Sequence, residues 1–376
     1  MQAMRPRRRI AVLQALDSTV LGFRGHLLEE MVDRGHNVTV YLPKAAPPVA
    51  DALGSMGVAC REIGWSRQGV SPAGDARSLN RMRRAFRASG VDMMFACSAK
   101  PVIHGSLAAR FAGVPDMFAM IEGAGYTFSS ADLRARCVRP LVTGLYRVSL
   151  SLNRKVFFLN PDDRELFCEL QLVKGPEQCV LLNGIGVDLT AFRPAPLPAR
   201  PAVLMIARLL KDKGVREYAA AARLVKARHP DVAFRLLGIA DGHPDAIPER
   251  DLQAWVQEGL IEHLGWLDDV RPAIAASTLF VLPSYREGTP RTTMEALAMA
   301  RPVVTTDVPG CRETVQHGRN GYLVPARDVP ALAEAIERFV TNPEQAAPMG
   351  QASRRLAETR YDVRAVNRLI VEAMEL

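Results

Sequence analysis

Two glutamates eight residues apart, Glu287 and Glu295, lie in the stretch YREGTPRTTMEALAMARPVV, residues 285–304. The apolar run LFVLP ends just before it, and Met294, Leu297 and Ala298 recur at helical spacing inside it, so the pattern is strand, loop, helix. Thr289 is the expected N-cap and Pro290 the expected first helical residue, with Gly288 in the loop. The backbone N–H groups of Arg291, Thr292 and Thr293 then stand at the positive end of a helix dipole, which suits a phosphate. Glu287 precedes that anion site and Glu295 lies inside the helix, so two carboxylates flank one phosphate. A carboxylate only accepts hydrogen bonds and takes both protons of a vicinal diol. The chemistry that fits is a sugar nucleotide, one carboxylate on the sugar hydroxyls and the other on the ribose. On this pair alone the plain alternative, two surface glutamates, stays open.

A second constellation is IARLLKDKG, residues 206–214, which places Arg208 and Lys213 in a short loop after an apolar run. Two cations at a strand end are what a diphosphate leaving group needs, because they offset charge developing on the departing oxygen. Either alone reads as a solvated surface charge.

The elements that position these residues follow from periodicity. RIAVLQAL reads as a strand, and Leu27, Leu28, Met31 and Val32 then fall on one helix face that Gly35 is placed to end. NVTVYL, VDMMFAC and KVFFLN continue the strand pattern. FRPAPLPARP, residues 192–201, carries four prolines and reads as a stiff linker. Beyond it the pattern restarts with AVLMIA, a helix from Val215, VAFRLLG, STLFVLP and RPVVTT. Two α/β domains of similar size are expected, residues 1–190 and 191–360, each with a parallel sheet. Such sheets bind ligands outside the carboxyl ends of their strands, and the expected site is the cleft between the domains.

Several stretches together resemble the retaining, family-4 type of glycosyltransferase with the GT-B fold, two Rossmann-like domains facing each other across a cleft. They are NGIGVDLTAFRP, ARLLKDKG, RLLGIADG, HLGWLDDVRPAIAASTLFVLPS, the Glu287 to Glu295 pair and GYLVPARDVPALAEAI, in the family's order over residues 183–340. The resemblance implies that Arg208 and Lys213 hold the donor diphosphate, that Glu287 contacts the transferred sugar and that Glu295 contacts the ribose. It implies that Gly22, in a loop after the first strand, lets the backbone approach the donor phosphates, and that a C-terminal helix at 361–376 returns to the first domain. Relatives carry a histidine near AMIEGAGYTF, where this chain has Glu122; whether Glu122 takes over that role or is an ordinary loop carboxylate stays open. KPVIHGSLAARFAGVP and IEGAGYTF resemble a subgroup that adds sugars, often N-acetylhexosamines, to lipid-diphosphate-linked saccharides of capsule, O-antigen or glycan assembly. Arg24, Lys100, His104 and Glu122 are the acceptor-side candidates, with a buried structural role equally open for His104. The donor expected is a uridine-diphosphate sugar. No metal or other cofactor is expected, and no Asp-x-Asp is present.

Charge bears on the acceptor. The 376 residues carry a formal net charge of +8, and residues 1–193 hold 25 Lys and Arg against 17 Asp and Glu, whereas residues 194–376 hold 23 of each. An anionic membrane surface, an anionic substrate and nucleic acid are the candidate partners. ARSLNRMRRAFRAS, residues 76–89, sets Leu79, Met82 and Phe86 on one face among five arginines and reads as a membrane-surface helix. Arg7, Arg8, Arg9 and LRARCVRPLVTGLYRV add to that reading. Nucleic acid is disfavoured, since stacking aromatics do not accompany the charges. A non-catalytic sugar-nucleotide binder is disfavoured by the intact set of Arg208, Lys213, Glu287 and Glu295, and a GT-B sugar-nucleotide 2-epimerase by the lack of histidines at strand ends. Six scattered cysteines without a CxxC pair suit a reducing cytoplasm. The expected place is cytoplasmic, peripheral at the inner face of the cell membrane.

Overall fold

The computed structural model describes residues 6–65, 72–125, 128, 133–240, 242, 243 and 245–376. Tyr126 and Thr127 of the GAGYTF stretch, Asp241 of RLLGIADG and the side chains of residues 133–137 lie outside the described residues. The chain forms two compact units, Met1–Leu182 with Arg364–Leu376, and Asn183–Val363.

In the first unit the order is β1 (Arg9–Leu13), α1 (Asp17–Asp33), β2 (Asn37–Leu42), α2 (Pro47–Ser55), β3 (Ala59–Glu62), α3 (Pro72–Ser89), β4 (Met93–Cys97) and α4 (Ala99–Ala112). It continues through β5 (Asp116–Ile121), α5 (Leu133–Ser151), β6 (Lys155–Phe158), α6 (Pro161–Glu169) and β7 (Cys179–Leu181). The strands form one sheet in the order β3-β2-β1-β4-β5-β6-β7, and its neighbours pair in parallel. Parallel strands need helical crossovers, which cover both faces, so central strands are apolar throughout; all five residues of β4 are buried. Gly35 ends α1 with a φ of +86°, the left-handed conformation glycine adopts without strain.

The second unit runs β8 (Ala202–Ile206), α7 (Val215–Lys226), β9 (Ala233–Leu237), α8 (Glu249–Gln257), β10 (Glu262–Gly265), α9 (Arg271–Ala275), β11 (Leu279–Leu282) and α10 (Arg291–Ala298). Then come β12 (Val303–Thr306), β13 (Gly321–Val324), α11 (Val329–Thr341) and α12 (Ala346–Arg360). The parallel sheet order is β10-β9-β8-β11-β12-β13, so the winding reverses between β8 and β11. In the first sheet the reversal falls between β1 and β4.

The boundary between the units differs from the expected 190/191. Residues 183–201 pack on the second unit: the Val187 N–H donates to the Tyr361 carbonyl at 2.7 Å, and the Arg354 guanidinium donates to the Phe192 carbonyl at 2.9 Å. The buried Arg301 guanidinium donates to the carbonyls of Ala195 and Pro196, both at 2.9 Å, and so binds the proline-rich stretch down. Tyr361 also stays with the second unit through its hydroxyl, which donates to the Glu313 carbonyl. The C-terminal helix, α13 (Val363–Ala373), begins two residues later than expected, and its chain end is held in the first unit by Arg34, which donates to the Leu376 carbonyl at 2.8 Å.

The amphipathic helix over 76–89 departs from its expected role. It forms, as α3, but its apolar face is already covered: Met82 and Phe86 are each 1% exposed and Leu79 packs against the same core. Phe86 meets Tyr41 edge-on at 5.3 Å between ring centroids. Several arginines of this helix are also spent within the fold, Arg81 on the Gly64 carbonyl and Arg87 on the Phe111 carbonyl. The apolar face is therefore core, and only charge is left for a membrane surface. No helix of the described residues is long and apolar enough to cross a membrane.

A core role for this face makes Phe86→Ala cost about 3–5 kcal/mol in urea unfolding, while Arg84→Ala on the exposed side changes stability by less than about 0.5 kcal/mol. Equal small effects would return the helix to the surface role.

Candidate active site

In the second unit the loops that follow β8 and β11 flank the point where the sheet reverses. The Arg208 to Gly214 loop leaves β8, turns through a short 3-10 segment at Lys211–Lys213 and enters α7. Gly214 has a φ of +72°, and a Cβ there would lie 2.1 Å from the Pro283 carbonyl oxygen, so only glycine lets the two loops close up. The Tyr285 N–H donates to the Asp212 carbonyl at 2.8 Å and adds a backbone tie between them.

Across this contact Lys213 Nζ meets Glu287 Oε1 at 2.7 Å, with both side chains mostly buried. Burial works against the Lys213 charge, but Glu287 and Asp212 outweigh it and raise its pKa above the usual lysine value. The Ser284 hydroxyl donates to the same Glu287 oxygen at 2.8 Å. Glu287 is fixed from behind as well: its N–H donates to the Pro309 carbonyl at 3.0 Å, and Gly310 leaves room for its backbone. Arg208 is exposed in the loop after β8.

The helix start differs by one residue from expectation. Pro290 is the N-cap and Arg291 the first helical residue, and no side chain caps the end. The Thr289 hydroxyl instead donates to the Gly288 carbonyl at 2.7 Å, because its backbone lies one step outside the capping position. The Thr292 hydroxyl donates to the Ile206 carbonyl at 3.1 Å, which pins the helix start against the end of β8. Glu295 is 5% exposed and accepts from Arg291 Nε at 2.7 Å. Burial pushes its carboxyl above the usual carboxylate range, and Arg291 opposes that only in part.

In the first unit Glu122 follows β5. Its Oε1 accepts from Arg24 Nη2 at 2.5 Å, and its Oε2 accepts from the Ser98 hydroxyl. Arg24 is 2% exposed and also donates to the Phe23 carbonyl at 3.0 Å, so the guanidinium expected at the acceptor has little surface to offer a saccharide. Burial works against its charge, and the Glu122 carboxylate at 2.5 Å offsets that cost. The Cys97 and Cys311 thiols are buried and pushed up to about 12, which keeps them protonated and inert. Lys100 and His104 share a face of α4, and Lys100 Nζ lies 3.5 Å from Asp75 of α3. Burial lowers the His104 pKa, Lys100 adds to this and Asp75 opposes it, so the imidazole is neutral at physiological pH.

Gly22 is not in a loop. It is an exposed residue of α1, which starts at Asp17, five residues before it. Two residues of these sites escaped the sequence reading, Ser98 and Ser284. Each follows a strand end, which is the one signal available; Ser284 bonds Glu287 three residues on, whereas the bond from Ser98 to Glu122 spans 24 residues and has no sequence signature. Among the described residues no group of three or more His, Cys, Asp or Glu is placed to hold a metal ion.

Residues 200–342 match a family model described as Glycosyl transferases group 1, and residues 23–184 match one described as Glycosyl transferase 4-like domain. The chain is 27% identical over 342 residues to N,N'-diacetylbacillosaminyl-diphospho-undecaprenol alpha-1,3-N-acetylgalactosaminyltransferase of Campylobacter jejuni, covering 87% of this chain and 88% of that protein. It is 25% identical over 283 residues to UDP-Gal:alpha-D-GlcNAc-diphosphoundecaprenol alpha-1,3-galactosyltransferase of Escherichia coli, covering 72% and 71%. Its fold is similar to that of sucrose-phosphate synthase from Thermosynechococcus elongatus, with a TM-score of 0.81 at 20% identity over 98% of both chains.

The buried Glu295 predicts a pH dependence. Its folded pKa lies above its unfolded one, so the unfolded chain loses its proton first as pH rises, and stability falls through that window. Below about pH 4 both states hold the proton and the loss vanishes. Urea melts of unliganded Glu295→Gln are expected to show greater stability than wild type at neutral pH and convergence toward wild type in acid. A variant less stable at neutral pH would contradict the assignment.

Proposed function

The chain is a glycosyltransferase of the GT-B fold, built from a glycosyl transferase 4-like domain and a group 1 domain, and on that premise we propose that it moves a sugar from a UDP-sugar to a lipid-diphosphate-linked saccharide in surface polysaccharide or glycan assembly. The observation that carries the donor half is the Lys213–Glu287 pair, which ties together the two loops at the reversal of the second sheet. Open parallel sheets take their ligands at that point. The two relatives named above carry diphospho-undecaprenol acceptors in their names, and one carries UDP-Gal, which supports the acceptor and donor classes.

In this reading Arg208 and Lys213 lie on the donor diphosphate with the uncapped N-terminus of α10, at Gly288, Thr289, Pro290, Arg291 and Thr292. Glu287 accepts hydrogen bonds from the sugar hydroxyls, and Glu295 accepts from the ribose through the oxygen that Arg291 does not take. Transfer is retaining and proceeds by front-face attack. The bond from the anomeric carbon to the diphosphate oxygen breaks, and the two cations offset the charge that develops there. The acceptor hydroxyl oxygen bonds to the same face of that carbon and gives its proton to the departing phosphate oxygen. Positioning and electrostatics supply the rate, without a covalent sugar–enzyme intermediate or a metal ion. Glu122, Lys100 and His104 belong to the acceptor side. The protein works at the cytoplasmic face of the membrane and attaches through the basic charge of its first half, since the apolar face of α3 is buried.

The test is transfer from UDP-sugars to a polyprenyl-diphosphate saccharide in the presence of EDTA, with the anomeric configuration of the product read by NMR. The expected product keeps the donor's α configuration. Glu287→Ala is expected to lower kcat by about 100-fold, as loss of a transition-state contact does, and Glu295→Ala to raise the donor KM by roughly 10-fold. Epimerised nucleotide sugar formed without acceptor, and no transfer, would replace this reading with a 2-epimerase.

A further inference from the structure

Ser98 joins β4 to α4 with φ 72° and ψ 161°, a backbone conformation that is essentially reserved for glycine. It occupies the N-cap position of α4, where serine normally turns its hydroxyl onto the helix, yet it makes no capping bond. Its hydroxyl is given to Glu122 Oε2 instead, while Arg24 holds Oε1 at 2.5 Å. Three separate elements, α1, the β4–α4 junction and the end of β5, thus converge on one carboxylate. The β4–α4 junction is one side of the reversal point of the first sheet, and Gln14, just beyond β1 on the other side, is 1% exposed with an Oε1 that has no partner among the described residues.

We propose that Ser98 and Arg24 are positioning residues that hold the Glu122 carboxylate in a fixed orientation for a hydroxyl of the acceptor saccharide. The inference rests on the glycosyltransferase reading above and assigns the acceptor contact within it. A buried guanidinium needs one counter-charge, and among the described residues Glu122 is the carboxylate paired with it. The Ser98 hydroxyl adds nothing to that neutralisation, and glycine would meet the backbone requirement without strain. What the hydroxyl adds is a second fixed donor on the other oxygen, which sets the plane of the carboxylate. Each oxygen keeps a lone pair, and the Glu122 side chain stays 20% exposed, so an acceptor-only group is presented to a sugar hydroxyl.

Ser98→Gly is the decisive variant, because glycine takes this backbone freely and deletes only the hydroxyl. The variant is expected to melt at or above the wild-type temperature while kcat/KM for the lipid-linked acceptor falls about 10-fold and the donor KM stays unchanged. Glu122→Gln is expected to lose about 10- to 100-fold on the same constant, again with the donor KM unchanged. Wild-type acceptor kinetics in Ser98→Gly would overturn the proposal, as would a fall in melting temperature with parallel losses for donor and acceptor. A crystal structure of Ser98→Gly gives an arm independent of turnover: the Glu122 carboxylate is expected to leave its wild-type orientation, and an unmoved carboxylate would overturn the positioning role. If wild type transfers no sugar to lipid-linked saccharides, the function reading fails, and the crystallographic arm still decides the role of Ser98.

Discussion

The Lys213 ammonium and the Glu287 carboxylate stand 2.7 Å apart and mostly out of water, and the second unit's site depends on that contact. Removing one member of such a pair leaves a buried charge uncompensated, at a cost of about 3–5 kcal/mol. The pair is affordable here because the loops carrying it are joined by the Tyr285 to Asp212 backbone bond and by the close approach at Gly214. Those loops leave the sheet on either side of its reversal, where no crossover helix covers the strand ends. Topology thus places both loops at the reversal of the sheet, and the ion pair ties them together there.

The same device occurs in each unit. Glu287 accepts from a cation, Lys213, and from a hydroxyl, Ser284; Glu122 accepts from a cation, Arg24, and from a hydroxyl, Ser98. In both cases the carboxylate lies just beyond the C-terminal end of a strand. A cation sits on one carboxylate oxygen, and the hydroxyl is a second donor that limits its rotation. Carboxylates held in this way select for hydroxyl-bearing ligands, since they accept hydrogen bonds and give none. Glu295 is the exception, a carboxylate buried with one partner and held at a cost to stability.

Much of this was legible in the residues, for reasons that differ by feature. Continuous apolar runs such as MMFAC announce central parallel strands, and Gly35 marks a helix end that only glycine takes comfortably. Lys213 and Glu287 drew notice because each lies in a loop that follows a strand, and the fold brings the two together at 2.7 Å. The cap at α10 was missed by one residue, since Thr289 and Pro290 are both good helix-start residues and only the backbone decides between them. Gly22 was misplaced because α1 starts sooner than its glycines suggest. Periodicity showed an apolar face on α3 but not what covers it. The strain at Ser98, costing about 1–3 kcal/mol, is written in no local pattern, because serine is an ordinary residue before a helix.

The measurement that reaches the central claim most directly is the electron density of a UDP-sugar bound to the wild-type protein. The account predicts the diphosphate within hydrogen-bond distance of Lys213 Nζ and the Arg208 guanidinium, beside the N-terminus of α10, with the sugar hydroxyls on Glu287. Density for the nucleotide away from the β8 and β11 loops, or a sugar turned away from Glu287, would contradict it.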